Sequence, residues 1–170
     1  MPRSVDAQLI GELFDRHAAA LTLYASQWTS DADDCVQESL IELARQATAP
    51  ANPVAWLYCV VRNRSLNASR AERRRSTHEQ AAVAARGEHR FSGAGSAPRD
   101  LELTDALATL EAPVCEIVVL RVWGQLSWQE IAEVVGSSRS AAQRHYVDAL
   151  KKLRQLWEPN LSDSKPCPTN

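Results

Sequence analysis

Residues 127–154 read SWQEIAEVVGSSRSAAQRHYVDALKKLR, and this stretch limits the fold more than any other part of the chain. Ser127 followed three positions later by Glu130 is a capping box, in which the hydroxyl accepts from the third helical N–H and the carboxylate returns to the cap N–H. Ile131, Val134 and Val135 supply one short apolar face behind it. Gly136 then ends that helix, because glycine enters the left-handed region at no steric cost. Ser138 is a good N-cap for a second helix, whose stripe of Ala142, Tyr146, Ala149, Leu150 and Leu153 recurs at helical spacing. A short helix, a tight glycine turn and a longer helix define a helix-turn-helix. Ala132 and Ala149 are small enough to let the backbones come close.

At about 100° per residue, the side of the second helix opposite that stripe carries Ser140, Arg144 and Lys151, with Gln143 and Val147 off centre. Arg139 lies in the first turn. A helix-turn-helix reads bases mainly with the N-terminal residues of its second helix. Arg matches guanine edges, Gln matches adenine, and Ser reaches bases or phosphate. The alternative is an ordinary solvated back to an amphipathic helix.

The remaining sequence is helical in character. Gly is scarce at six residues and apolar residues make up 45% of the 170, with short β-branched runs, so the expected class is all-α. The net charge of −2 does not single out nucleic acid, but its distribution is segregated. Residues 1–50 hold three Arg against eight acids, and residues 62–75 hold six Arg against one Glu. Residues 101–137 hold one Arg against six acids, and residues 138–158 five bases against two acids. Alternating blocks of this kind suit a chain with both a DNA face and a protein partner.

The first fifty residues form two amphipathic helices. Leu9, Ile10, Leu13, Phe14, His17, Leu21 and Tyr24 stripe the first, with His17 expected to pack rather than to ligate. Ser30 and Asp31 are cap candidates for the second, which runs through Arg45 on Cys35, Val36, Leu40, Ile41 and Leu43. Its outer side is acidic, with Asp33 and Asp34 matched to the helix dipole. Asn52 caps a third helix, and Pro53 takes its first position. Val54, Trp56, Leu57, Val60, Val61 and Leu66 cover one side of that helix; six Arg follow Val61 without one Lys. Arg forks around phosphate and stacks on bases as Lys cannot, so this end is a phosphate-binding candidate. Residues 76–100 are rich in Ala, Gly and Ser and read as a flexible linker, with room for a helical continuation of the third helix to about Ala85. Leu101, Leu103, Leu107 and Leu110 open a second domain, and Pro113 starts a helix packed on the helix-turn-helix. Trp128 is expected to pack locally. The expected layout is a helical domain at 1–75, linker at 76–100, helix-turn-helix domain at 101–158 and disordered tail at 159–170.

Function classes are narrowed by what the sequence does not contain. The four cysteines at 35, 59, 115 and 167 form no CxxC pair and are expected as reduced thiols. The four histidines show no metal-ligand spacing, and no nucleophile–base set or phosphate loop occurs, so neither an enzyme nor a cofactor is expected. Asp6 and Glu12 interrupt any secretory pattern, and no apolar run approaches the ~20 residues of a membrane span; a cytoplasmic protein is expected.

DADDCVQESLIEL at 31–43, NPVAWLYCVVRN at 52–63 with its Arg-rich end, and the helix-turn-helix with EIA at 130–132 and LR at 153–154 occur in order. Together they resemble the extracytoplasmic-function (ECF) group of bacterial sigma factors, over about residues 8–75 and 101–157. The resemblance implies two small helical domains joined by a flexible linker. The first would bind the clamp of RNA polymerase core and melt the minus-ten promoter element; the second would bind the minus-thirty-five duplex and touch the polymerase flap. The linker would follow the RNA path of the polymerase. Asp34, Gln37 and Glu38 match the core-binding helix, and the 46–52 loop the pocket for a flipped minus-ten base. Asn63, Asn67 and Arg70 match the helix holding the non-template strand, and Arg73 and Arg74 extend it. Ser138, Arg139, Ser140, Gln143 and Arg144 match the minus-thirty-five reader. The resemblance leaves room for an anti-sigma factor as a partner. Three positions depart from the family pattern: Asn67 for a usual Asp, Ala141 and Ala142 for Thr-Val, and Asp148 for a common Arg. A stand-alone helix-turn-helix regulator would explain residues 101–157 but leave the first domain without a role. A helical protein-interaction module, with a solvated Arg cluster, is the other alternative.

Overall fold

The structure, a computed structural model, describes residues 5–79 and 98–161, with side chains at 5–76 and 103–156. It is helical throughout these residues: α1 (Ala7–Ala25), α2 (Ala32–Ala44), α3 (Pro53–Glu79), α4 (Pro98–Ala108), α5 (Ala112–Val122), α6 (Trp128–Val135) and α7 (Arg139–Leu161). Helix α3 continues past Arg75 to Glu79, within the expected continuation, and α7 reaches Leu161, inside the expected tail. Most of the 76–100 linker and the tail after Leu161 lie outside the described residues.

Local sequence fixes the helix starts. The Asp6 carboxylate accepts from Leu9 N at 2.8 Å and opens α1. Asn52 Oδ1 accepts from Val54 N at 3.0 Å and from Ala55 N at 3.1 Å and opens α3. The capping box of α6 is complete: Ser127 Oγ accepts from Glu130 N, and Glu130 Oε2 from Ser127 N at 2.8 Å. Ser138 Oγ accepts from Ala141 N at 3.2 Å at the start of α7. Asp31 begins α2 without a side-chain cap; instead its N–H donates to Thr29 Oγ1 at 3.1 Å.

Helices α1, α2 and α3 close over Leu13, Leu21, Val36, Leu40, Leu43, Leu57 and Val61. Helices α4 to α7 close over Leu107, Leu110, Ile117, Leu120, Leu126, Ile131, Ala142, Ala149 and Leu153. The two sets belong to one continuous cluster, because α1 and α3 also touch α5 and α6. The periodicity misassigned three residues: Phe14 and Ile41 are each 51% exposed and Leu150 is 42% exposed. Each sits at the edge of its stripe, where no neighbouring helix covers it. His17 is half-buried, and burial followed by the nearby Arg16 charge lowers its pKa. Cys35 and Cys115 are buried free thiols and Cys59 a half-buried one.

Gly136 adopts φ 69° and ψ 40°, the left-handed cap that the turn requires. Nothing lies within 4 Å of a Cβ added there, so a substitution meets backbone strain alone. Gly136→Ala is expected to cost about 1–2 kcal/mol, visible as a Tm lowered by several degrees in thermal unfolding. An unchanged Tm would mean that this turn is not held in the left-handed form.

Candidate polymerase and nucleic-acid interfaces

The acidic face expected on α2 is present. Asp34, Gln37 and Glu38 are exposed on it. Arg64 on α3 faces it, with Nη1 at 2.5 Å from Glu38 Oε2 and Nη2 at 2.5 Å from Glu42 Oε2. A guanidinium forking two carboxylates in this way holds both side chains in one orientation. Asp34, Glu38, Arg64 and Asn67 border one open cleft between α2 and α3. The cleft thus brings an expected core-binding row beside an expected minus-ten residue.

Along α3, Asn63, Asn67, Arg70, Arg73 and Arg74 are all exposed. Arg70 Nη1 donates to Asn67 Oδ1 at 3.3 Å, and Arg74 Nε to the Arg70 carbonyl at 3.3 Å. Glu72, the lone acid in this stretch, turns the other way and accepts from Thr29 at 2.6 Å and Ser30 at 3.2 Å. It anchors the basic helix to the α1–α2 turn. The six Arg do not act as one cluster, which corrects the sequence reading: Arg64 belongs to the acidic face, and Arg62 turns towards α5.

Helix α7 presents Ser138, Arg139, Ser140 and Arg144 to solvent, with Gln143 half-buried beside them. Val147 is also exposed on that side, while Ala142, Ala149 and Leu153 are buried on the other. Asp148 is exposed and lies 3.6 Å from Lys151. Trp128 packs locally, as expected: its ring meets Tyr146 edge-on at 5.3 Å and Arg121 lies over it at 4.6 Å. Arg121 Nη1 also donates to the Leu126 carbonyl at 2.7 Å. These contacts fix the angle between α6 and α7, and hence the direction of the exposed row.

Sequence reasoning missed a second set of residues, where the two halves meet. Glu116 on α5 is only 4% exposed. Its Oε1 accepts from Tyr24 Oη at 2.6 Å and from Arg62 Nε at 2.5 Å. Burial, then the neighbouring Glu116 charge, hold the Tyr24 hydroxyl well above its ordinary pKa, so it stays a donor. Burial opposes the Arg62 charge, yet the bond to Glu116 raises its pKa. Asn52 Nδ2 donates to Glu130 Oε1, joining the cap of α3 to the cap of α6. The signal for this set was a single carboxylate inside the apolar run VCEIVVL, since such a charge is buried only with a partner.

Among the described residues no group of His, Cys, Asp and Glu could hold a metal ion, and no helix is long and apolar enough to cross a membrane. The fold and its exposed rows define a two-part helical protein with a helix-turn-helix at its C-terminal end. Sigma-70 region 2 matches residues 13–75 and sigma-70 region 4 matches residues 100–153. Over 89% of its length the chain is 29% identical to the ECF RNA polymerase sigma factor SigL of Mycobacterium tuberculosis, covering 90% of that protein. It is 26% identical to the RNA polymerase sigma factor SigV of Bacillus subtilis, over 78% of this chain and 80% of that one. The solved structure of CnrH in complex with the cytosolic domain of CnrY superposes with a TM-score of 0.58 at 25% identity, covering 94% of this chain and 92% of that one. The sigma factor RpoE in complex with the anti-sigma factor NepR from Bartonella quintana shares the fold, with a TM-score of 0.59 at 20% identity over 94% of this chain and 100% of that one. The chain belongs to the ECF group of the sigma-70 family and is an RNA polymerase sigma factor.

Proposed function

We propose that the first domain binds RNA polymerase core through Asp34, Gln37 and Glu38 and holds the minus-ten strand through Asn63, Asn67, Arg70, Arg73 and Arg74. The helix-turn-helix domain reads the minus-thirty-five duplex through Ser138, Arg139, Ser140, Gln143 and Arg144. The observation that carries this reading is the presence, in one chain, of an exposed acidic row on α2, an exposed basic row on α3 and an exposed polar row on α7. An acidic row suits a basic protein surface, and the other two suit phosphates and base edges. The chain contributes binding and positioning, and polymerase performs the chemistry. It acts in the cytoplasm with the clamp and flap of core and promoter DNA as partners. CnrH is solved with a protein partner, and an inhibitory partner of the anti-sigma type is proposed here also.

Changing Gln37 and Glu38 together to Ala is expected to weaken core binding by about fivefold, the ~1 kcal/mol of exposed polar and charged contacts. Helicity should stay as in the parent protein, because both side chains are exposed. A titration of labelled protein with core polymerase measures this. Equal affinity at equal helicity would remove α2 from the core contact.

A further inference from the structure

We propose that Arg64 is a positioning residue for polymerase binding: it holds Glu38 in the orientation that core takes up, without touching polymerase itself. The inference rests on the functional reading above, in which Glu38 is a core contact. The roots of both side chains are fixed by the helices that carry them. Ser39, next to Glu38, and Ser65, next to Arg64, are fully buried. Each hydroxyl donates to the carbonyl four positions back in its own helix. Only the side-chain tips are left to order. Arg64 Nη1 takes Glu38 Oε2 and Nη2 takes Glu42 Oε2, both at 2.5 Å. Glu38 and Glu42 lie four positions apart on α2, and like charges at that spacing repel. The guanidinium between them replaces repulsion by a fork that orders both tips. Glu38 is the outer of the two, with its side chain 62% exposed against 40% for Glu42. Glu42 therefore anchors the fork, and Glu38 is presented by it. The second oxygen of Glu38, Oε1, carries no hydrogen bond among the described residues and is left for a partner.

Stability does not account for this arrangement. Ion pairs as exposed as these contribute little to folding. Arg64 Nε is moreover buried without a hydrogen-bond partner, and a buried donor left unpaired is destabilising. The gain lies in binding. A free glutamate loses its rotamer freedom at the moment of docking, whereas one already held in its bound form does not. Arg64 is itself only 32% exposed and stands behind the row that it orders. It shares the cleft with Asp34 and Glu38 on one side and Asn67 on the other. Charge alone gives the opposite sign. Arg64 cancels part of the acidic field of α2, so its loss by itself would strengthen attraction to a basic protein surface. Positioning predicts weaker binding instead, and only while Glu38 is present.

A double-mutant cycle on the full chain, read by titration with core polymerase, tests this. Arg64→Ala is expected to weaken binding about threefold, the ordering of one long side chain. Glu38→Gln should weaken it by about three- to fivefold, as loss of an exposed charged contact does. The two together should bind no more weakly than Glu38→Gln alone, because Arg64 then has nothing left to position. Arg64→Lys keeps the charge but cannot fork two carboxylates, and should fall between the wild type and Arg64→Ala. Helicity should be the same in all forms. If Arg64→Ala loses helicity, Arg64→Lys takes its place in the cycle, and its smaller loss should likewise vanish beside Glu38→Gln. Tighter binding by Arg64→Ala would overturn the positioning role and make Arg64 a mask on the acidic row. Losses that multiply in the double variant would overturn it too, and would make Arg64 a contact or a folding element in its own right. Wild-type affinity in Glu38→Gln would instead remove Glu38 from the core contact, and the positioning role with it.

Discussion

Replacing Arg70, Arg73 and Arg74 together by Ala is expected to lower the affinity of the polymerase-bound protein for promoter DNA by roughly a hundredfold near 0.15 M salt. Each phosphate that is no longer neutralised takes about 0.7–0.9 from the slope of log affinity against log salt, so three take about 2 to 3. The three side chains are exposed on one stretch of α3, where Arg70 is steadied by Asn67 and Arg74 by the Arg70 carbonyl. Their removal leaves the core of α1, α2 and α3 untouched, and Glu72 keeps the helix tied to the α1–α2 turn. Open-complex formation measured across a salt series reads the slope directly. A wild-type slope in the triple variant would reduce the row to a solvated face.

Arg144→Ala is expected to relax preference at one or two adjacent upstream base pairs by about 1–3 kcal/mol, the worth of a bidentate Arg–guanine pair. Arg144 is exposed and lies opposite Ala142, Ala149 and Leu153, which are committed to the core. The Ser138 cap and the helix N-terminus set the position of the backbone, so discrimination must come from long side chains. Arg139, nearer the edge of the buried stripe, is expected to act through phosphate, and Arg139→Ala to lower affinity evenly across sequences. Transcription of a randomised promoter library by each variant separates the two. Loss of minus-ten preference in Arg144→Ala, or no change at minus-thirty-five, would place the reading face elsewhere on α7.

These two expectations use residues whose positions were legible in the sequence. Caps and turns are built from residues within four positions of each other, so Ser127 with Glu130, Gly136, Ser138 and Asn52 could be placed from local chemistry alone. The exposed rows on α2, α3 and α7 follow from the same helical period. What periodicity could not show was which edge of a stripe a neighbouring helix covers, and Phe14, Ile41 and Leu150 are exposed for that reason. Contacts across large separations were also hidden. Glu116 meets Arg62 across 54 positions and Tyr24 across 92, and no local pattern links them. The same holds for Arg64, whose place in the Arg-rich stretch suggested phosphate although it faces Glu38 and Glu42. How the two parts pack on each other was not legible, because the polar groups that join them look like surface residues in each domain read separately.

Run-off transcription with purified core polymerase on genomic promoter fragments shows most directly whether this chain directs polymerase to promoters. Discrete transcripts are expected only when the chain is added to core. Fragments shifted by the chain alone, with no transcript above that of core by itself, would contradict it and would mark a stand-alone DNA-binding regulator.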